Sequence, residues 1–407
     1  MKKSRMIGII LLLITTLVGC GITPRGEAVH EYDETKVSED FTAGNNRFAW
    51  NIMKALNEED ENENIFISPI SISTALSMTY QGARGKTREE MAEVLGYEGI
   101  EDSVLLESYE EFLKYLVAMD PCIELNIANS IWYREGEAIE EDFLEVNQRV
   151  FNALVEELDF SREEAADIIN DWISHATEGK IEEMLEGPIP GNVIMYLINA
   201  IYFKGDWTLP FDEEESFEGE FTSITGEVQD VKMMRRKGEV EYGDGGTYKS
   251  VRMPYGDKEN TAMYVILPQG DRDINEFLGT MNNEKWQEIK GGISPTQDVE
   301  LQIPRFEMEY GIKSLKDALG RMGMVEAFDM NANFEGIRPG IFIEDVLHKA
   351  VIEVNEQGSE AAAATVVVMQ ESAAMEPVNF IADRPFLFII ANEEADSILF
   401  MGKATGW

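Results

Sequence analysis

Apolar residues recur along the chain with two different spacings, which predict helices and strands mixed throughout its length. In one segment they recur three and four positions apart, which is typical of one face of a helix: Ala165, Ile168, Ile169 and Trp172. A capping sequence at residues 161–164 predicts the start of this helix, and Gly179 predicts its end. Around residues 299–303, apolar and polar residues alternate instead, as they do in a half-buried strand. The pattern therefore predicts an α+β protein.

Two apolar runs near the C-terminus predict a buried hairpin. They occupy residues 385–390 and 398–401, and a turn-forming stretch at residues 392–396 joins them. After residue 44 we find no internal repeat and no long linker rich in Pro, Ser or Gly. A length of 407 residues would allow two domains. No feature of the sequence marks where they would divide.

The N-terminal segment reads as an export signal. Lys2, Lys3 and Arg5 precede an apolar run at residues 6–18, which is too short to span a bilayer comfortably. The run ends in a sequence that resembles a bacterial lipobox, so we expect residues 1–19 to be a signal peptide and Cys20 to carry a lipid. An uncleaved anchor helix is the alternative, and in both cases the rest of the chain lies outside the cytoplasm. Residues 20–44 are polar and predict a flexible tether.

The charge of the chain is strongly negative, with 77 acidic and 34 basic residues and a formal net charge of −43. Binding to nucleic acid through its phosphates needs a basic face, so we do not expect a nucleic-acid partner. The acidic residues are interpreted as a solvated surface. An acidic surface that attracts basic partners is the alternative.

Residues that could carry enzyme chemistry are scarce. The chain has three histidines, of which His30 lies in the predicted tether and His175 follows Asp171 by one helical turn. We find no zinc-protease, nucleophile-elbow, phosphate-loop or dinucleotide motif, and therefore expect no enzyme, no metal and no cofactor. A convergent catalytic triad without a sequence signature would escape this search.

The segment at residues 358–377 has a composition that suits two conformations. Its alanines favour a helix and its Thr-Val run favours a strand. Gly358 and Pro377, which interrupt regular structure, lie at its two ends. In a strand, successive residues point to opposite faces, and the face that begins at Ser359 carries no charge before Glu371. The segment could therefore enter a protein core as a new strand. An ordinary buried strand with an alanine-rich lead-in is the alternative.

Four regions resemble characteristic segments of the serpin family and occur in the family's order. They are NIFISPISI at residues 64–72, NAIYFKGDW at 199–207, HKAVIEVNEQGSEAA at 348–362, and DRPFLF at 383–388 with LFMGK at 399–403. The resemblance runs from about Asn45 to Lys403. It implies a single domain over residues 45–407, with three β-sheets, eight or nine helices and an exposed reactive-centre loop at about residues 358–377.

What the resemblance implies about function is single-use inhibition of serine proteases. In this mechanism the protease cuts the loop, and the cut loop inserts into the main sheet before water can release the acyl-enzyme. The family's spacing places the cut between Ser372 and Ala373, where a small residue suits elastase-like or subtilisin-like proteases. A register slipped to Glu371, Ala373 or Met375 is the alternative, and so is a serpin fold without inhibitory activity.

The remaining residue roles also follow from the resemblance. The hinge through which the loop enters the sheet comprises Gly358, Ser359, Ala361, Ala362, Ala363 and Ala364. The shutter, where the central strands part, comprises Ser68, Ser71, Asn199 and His348, and Trp207 marks the breach where insertion begins. Because residues 101–116 carry five acidic residues and one basic residue, we expect no heparin-like cofactor. We further expect a monomer, held on the outer face of the membrane through the lipid on Cys20 or secreted.

Overall fold

The computed structural model describes residues 31–270, 272–359 and 378–407. Its α-helices are α1 (Glu39–Glu59), α2 (Pro69–Tyr80), α3 (Gly85–Leu95), α4 (Asp102–Leu116), α5 (Glu141–Val150), α6 (Ala165–Ala176), α7 (Ile274–Thr280), α8 (Asn283–Gly291) and α9 (Lys316–Met322). Its strands are β1 (Ile65–Ile67), β2 (Ile123–Arg134), β3 (Leu154–Leu158), β4 (Met195–Asp206), β5 (Phe217–Thr222), β6 (Val228–Asp244), β7 (Tyr248–Tyr255), β8 (Thr261–Pro268), β9 (Ser294–Pro304), β10 (Phe306–Glu309), β11 (Lys313–Ser314), β12 (Leu347–His348), β13 (Val351–Val354), β14 (Gly358–Ser359), β15 (Val378–Ile381), β16 (Phe386–Asn392) and β17 (Ser397–Ala404).

The first α-helix begins before residue 45, the residue at which the resemblance places the start of the folded domain. Helix α1 starts at Glu39, and Phe41 in its first turn is fully buried. Gly44 lies inside this helix, where an added Cβ would come 2.5 Å from the carbonyl oxygen of Gly96. Gly44 therefore allows the close approach of another chain segment. The helix therefore begins inside the segment that the sequence pattern assigns to a tether, where a glycine needed for packing resembles a glycine in a linker.

The predicted C-terminal hairpin is confirmed, and it lies within a nine-stranded sheet. The strand order is β1-β17-β16-β8-β7-β6-β9-β15, with β5 paired to β6 off this path. Strands β16 and β17 pair antiparallel, and every residue of β8, β16 and β17 is buried. Burial on both faces explains why these strands read as continuous apolar runs.

A second sheet has four strands in the order β14-β4-β2-β3. Two further pairs, β10 with β13 and β11 with β12, bring the described residues to four hydrogen-bonded sheets, against the three that the resemblance implied. Strand β13 leads through a turn at residues 355–357 into β14, and the backbone N–H of Asn355 donates to the carbonyl of Gly358 across this turn at 2.9 Å. The class is α+β, as predicted.

Two helices cover the faces of the four-stranded sheet. Helix α2 is buried at every residue except Ala75 and packs against β4 and β17. Helix α6 packs on the opposite face, where its Ile169 and Ile173 join a cluster that includes Trp132 of β2 and Ile198 of β4. Its N-cap is Glu164 rather than Ser161, because the Ser161 hydroxyl donates to Asp159 instead. Within the described ranges, none of the helices combines the length and apolarity needed to cross a membrane.

Candidate functional site

The most unusual feature of the four-stranded sheet is the pairing of β4. On one side β4 pairs with β2 from Met195 to Gly205. On the other side, among the residues that the structure describes, it pairs with β14 only at Gly205 and Asp206. Among the strands of the described ranges, β14 is thus paired with β4 only at this end. A strand edge of this kind can accept a further strand.

The two predicted hinge residues that are described, Gly358 and Ser359, form β14 against the end of β4. An added Cβ on Gly358 would lie 2.1 Å from the carbonyl oxygen of Gly205, so no other residue fits there without a backbone shift. Ser359 is buried, with its Oγ 2.9 Å from the Tyr255 hydroxyl. The other predicted hinge residues, Ala361, Ala362, Ala363 and Ala364, and the predicted scissile pair Ser372 and Ala373, lie outside the described residues.

The chain just before the hinge is held by Trp207, the predicted breach residue. Its indole Nε1 donates to the carbonyl of Asn355 at 2.9 Å, and its backbone N–H donates to the carbonyl of Gln357 at 2.8 Å. The Asn355 side-chain oxygen in turn accepts from the backbone N–H groups of Gln357 and Gly358, at 3.0 and 3.2 Å. The turn that positions the hinge is therefore fixed by both backbone and side-chain hydrogen bonds.

Glu356 places a carboxylate in the same buried region. The side chain is 4% exposed and accepts a hydrogen bond of 2.8 Å from the Ser216 hydroxyl. Arg305 lies 3.7 Å away, and the Glu356 carbonyl accepts from the backbone N–H of Phe211 at 2.8 Å. A buried carboxylate needs such partners, so Glu356 ties the hinge turn to the segment that follows β4.

The predicted shutter residues on α2 and β4 meet beneath the sheet in one chain of hydrogen bonds. The Ser68 hydroxyl donates to the carbonyl of Leu399 at 2.8 Å and accepts from the backbone N–H of Ser71 at 3.3 Å. The Ser71 hydroxyl donates to the Asn199 side-chain oxygen, and the Asn199 amide donates to Asn129 at 2.6 Å. These bonds join β17, α2, β4 and β2.

His348 meets the same group from β12. Its Nε2 accepts a hydrogen bond of 3.1 Å from the backbone N–H of Ser68, the N-cap residue of α2. Burial disfavours the charged ring and lowers the pKa of His348 to about 4. Lys313, opposite His348 in the strand register, pairs with Glu59 and Asp60. The ring is therefore neutral at neutral pH, which leaves Nε2 free to accept.

Three residues of this site were not singled out from the sequence: Asn129, Tyr255 and Asn355. Asn129 and Asn199 are direct partners across β2 and β4, and Asn129 donates to the carbonyl of Phe151 at 2.7 Å. The sequence gives no signal for Asn129, because its strand also contains the polar residues Glu124, Asn126 and Ser130. It gives none for Tyr255 either, whose contacts with Phe203, Trp207 and Ser359 are distant along the chain.

The other residues considered from the sequence lie elsewhere. His175 is on α6, where its ring contacts the backbone carbonyl of Asp171 at 3.2 Å. Cys20 and His30 lie outside the described residues. No group of His, Cys, Asp and Glu in the described part of the chain is arranged to hold a metal ion.

Comparison with known proteins points to one family. The model of the family described as "Serpin (serine protease inhibitor)" matches residues 43–406. The leukocyte elastase inhibitor of Sus scrofa is 34% identical over 382 residues, which cover 90% of this chain and 99% of that protein. Among solved structures, the thermophilic serpin tengpin in its native state superposes with a TM-score of 0.82 at 28% identity, covering 91% of this chain and 95% of its own. Thyroxine-binding globulin in complex with thyroxine gives 0.80 at 26% identity, covering 90% and 98%.

Proposed function

Because this chain belongs to the serpin family, we propose that it is a single-use inhibitor of serine-type endopeptidases. It traps its target by inserting its own cleaved loop, as a new strand, between β4 and β13. The observation that supports this proposal is that, within the described residues, β14 pairs with β4 only at Gly205 and Asp206.

The register of β14 determines where an inserted loop would lie. Gly358 is opposite Asp206 and Ser359 is opposite Gly205, in antiparallel pairing. If residues 360–369 continue this register, they pair with residues 204–195 and end at Met195, where β4 begins. About ten newly paired residues, at roughly 0.5 to 1.5 kcal/mol net per hydrogen bond, contribute on the order of ten kcal/mol. That free energy is sufficient to drive distortion of a bound protease.

The side chains of the loop suit this register. Ser359 faces the core, so in an inserted strand alternation would turn Ala361, Ala363 and Thr365 inward and Glu360 outward. The small inward residues enter a packed layer without steric conflict. Thr365 comes opposite Asn199, so a hydroxyl meets the polar group of the shutter. The sequence of the loop therefore matches the chemistry of the strand beside which it would insert.

The chemistry of the trap belongs to the protease. The protease serine attacks the carbonyl carbon of Ser372 and forms an ester, and the amine of Ala373 leaves with a proton. Hydrolysis of this ester would free the protease. Insertion of residues 360–369 carries the ester-linked protease away from the loop position and competes with that hydrolysis. The inhibitor contributes no catalytic group, only the free energy of strand insertion.

The target class is proposed from the residue before the cut. Ser372 is small and fits a shallow primary pocket, which favours elastase-like or subtilisin-like proteases. The similarity to an elastase inhibitor supports the same choice. A cut after Glu371 would instead favour proteases that prefer acidic residues.

The test is incubation of the purified chain with pancreatic elastase and, separately, with subtilisin. Denaturing gels and mass spectrometry then follow both proteins. We expect an adduct that survives SDS and a released C-terminal fragment that begins at Ala373. Loop cleavage with full protease activity and no adduct would contradict inhibition.

A second function, a carrier with the same fold and without inhibition, is favoured by one comparison. The chain superposes closely on thyroxine-binding globulin, which was solved with thyroxine. The same incubation separates the two functions, because a carrier forms no adduct with either protease.

For the N-terminal segment, we propose export and attachment of a lipid at Cys20. The support is the basic and apolar pattern of residues 1–20. Replacing Cys20 by Ser is expected to move the protein from the membrane fraction to the soluble exported fraction. An unchanged distribution would contradict lipid attachment.

A further inference from the structure

Tyr255 contacts the hinge from the nine-stranded sheet. It is the last residue of β7, and an isolated bridge connects it to Trp207 just beyond β4. Its ring stacks on the Trp207 ring at 4.3 Å and meets the Phe203 ring edge-on at 5.2 Å. The ring is fully buried and packs directly over Gly205, the residue that pairs with Ser359.

Within the described part of the chain, the Tyr255 hydroxyl is the polar side-chain group of this aromatic stack that contacts β14. It lies 2.9 Å from Ser359 Oγ, and both residues are buried. Burial raises the pKa of Tyr255, so the hydroxyl keeps its proton and remains able to donate. Losing this bond would leave a buried polar group without its partner, which destabilises the hinge position.

The pairing of β14 with β4 determines how insertion can begin. Within the described residues it joins Gly358 and Ser359 to the end of β4. Extending an ordered segment is easier than starting one, because the first pairs fix several dihedral angles for little gain. A loop whose first pair is already in place can therefore insert by extension. A loop whose hinge has left the sheet must form that first pair again.

We propose that Tyr255 is a positioning residue for loop insertion: its hydroxyl holds Ser359 in the sheet before cleavage, so that insertion begins from an existing strand. This inference rests on the proposed inhibitory function. It identifies a residue of β7 that controls the position of the hinge. After cleavage, each acyl-enzyme is either trapped by insertion or released by hydrolysis. Tyr255 acts on the balance between these two outcomes through Ser359, without contacting the protease.

The test removes the hydrogen bond from each side. Tyr255→Phe deletes the hydroxyl and keeps the aromatic stack, whereas Ser359→Ala deletes the partner and leaves the stack untouched. The matched control is Tyr264→Phe, which removes a buried hydroxyl from the neighbouring strand β8, where the tyrosine bonds Glu393 instead of the hinge. Subtilisin and pancreatic elastase are titrated with each full-length variant to measure the ratio of trapped to cleaved inhibitor.

We expect this ratio to fall about five-fold in Tyr255→Phe and in Ser359→Ala, which corresponds to one hydrogen bond of about 1 kcal/mol. The double variant should fall no further, because both changes remove the same bond. Tyr264→Phe should behave like the unmodified chain. Additive effects in the double variant, or a ratio that rises because the hinge is released, would overturn the inference.

Hydrogen exchange without any protease provides a second readout. Peptides spanning residues 355–359 should exchange faster in Tyr255→Phe and Ser359→Ala than in the control. Unchanged exchange in both variants overturns the inference whether or not the chain traps a protease. Cleavage of the unmodified chain without an adduct contradicts the proposed function alone.

Discussion

The two larger sheets of the molecule differ in how completely they are paired. In the nine-stranded sheet, β8, β16 and β17 are buried along their whole length, and β16 and β8 have a partner on both sides. In the four-stranded sheet, β4 is paired along one side and only at its end on the other, within the described residues. The nine-stranded sheet is built as a permanent core. In the proposed function, the four-stranded sheet accepts another strand.

The side chains beneath the sheets differ in the same way. Phe66, Phe388 and Phe400 stack in the nine-stranded sheet, with ring centroids 5.6 to 5.7 Å apart. Beneath β4, hydroxyl and amide groups of Ser71 and Asn199 bond to one another. Apolar packing contributes in proportion to buried area, whereas a hydrogen bond adds about 1 kcal/mol net and can be exchanged for another. The polar layer therefore suits strands that part and close again.

The largest expected effect comes from breaking the apolar core. Phe388 is fully buried between Phe66 and Phe306, and its ring fills the space over Gly402. Phe388→Ala is expected to lower the free energy of unfolding by about 3 to 5 kcal/mol through lost burial and a residual cavity. Urea unfolding measures this loss. A loss below about 1 kcal/mol would contradict the assignment of the stable core to the nine-stranded sheet.

His348 provides a pH-dependent effect on the polar layer. Its folded pKa of about 4 lies below the ordinary value of 6.5, so the unfolded chain binds the proton more readily. Stability from the neutral ring is fully present above pH 6.5 and is lost as the pH falls toward 4, by about 3 kcal/mol in total. Because acidic residues also titrate below pH 5, the comparison is with His348→Gln, whose side-chain oxygen can still accept from Ser68.

The measurement is the free energy of unfolding of both proteins between pH 4 and pH 7. The difference between them should change steeply across the window in which the unfolded histidine gains its proton. Parallel curves would show that His348 is not held neutral in the folded protein, and would remove the pH dependence assigned to the shutter.

The nine-stranded sheet was more accessible to sequence analysis than the hinge, for a physical reason. Its C-terminal hairpin joins segments that are close in sequence, and burial on both faces leaves a visible apolar run at residues 386–390. The pairing of Gly358 with Asp206 joins residues 152 apart, and no local pattern encodes it. Family resemblance pointed to Gly358, Ser359 and Trp207, but the Tyr255 contact depends on how two sheets meet and needs coordinates.

Asn199 tests the polar layer beneath β4, where we expect a moderate effect on stability. Asn199→Ala removes the bonds to Ser71 and Asn129 and leaves buried polar groups without partners, so we expect a loss of about 2 kcal/mol in unfolding free energy. The control is Asn126→Ala on β2, whose amide donates to the partly exposed Glu124 at 3.1 Å. Equal losses in urea unfolding would mean that the shutter contributes no more than an ordinary strand position.

The smallest expected effect concerns charge on the outer face of the nine-stranded sheet. Lys237 on β6 lies 3.1 Å from Glu300 on β9, but its side chain is 58% exposed. Water and salt screen such a pair, and Glu300 also contacts Arg235 at 3.1 Å, so the carboxylate keeps a partner when Lys237 is removed. We expect Lys237→Ala to change the unfolding free energy by less than about 0.5 kcal/mol, with no dependence on salt beyond that of the unmodified chain. A larger, salt-sensitive loss would show that surface charge holds this sheet together. The contrast between an apolar permanent sheet and a polar, openable one would then no longer describe the molecule.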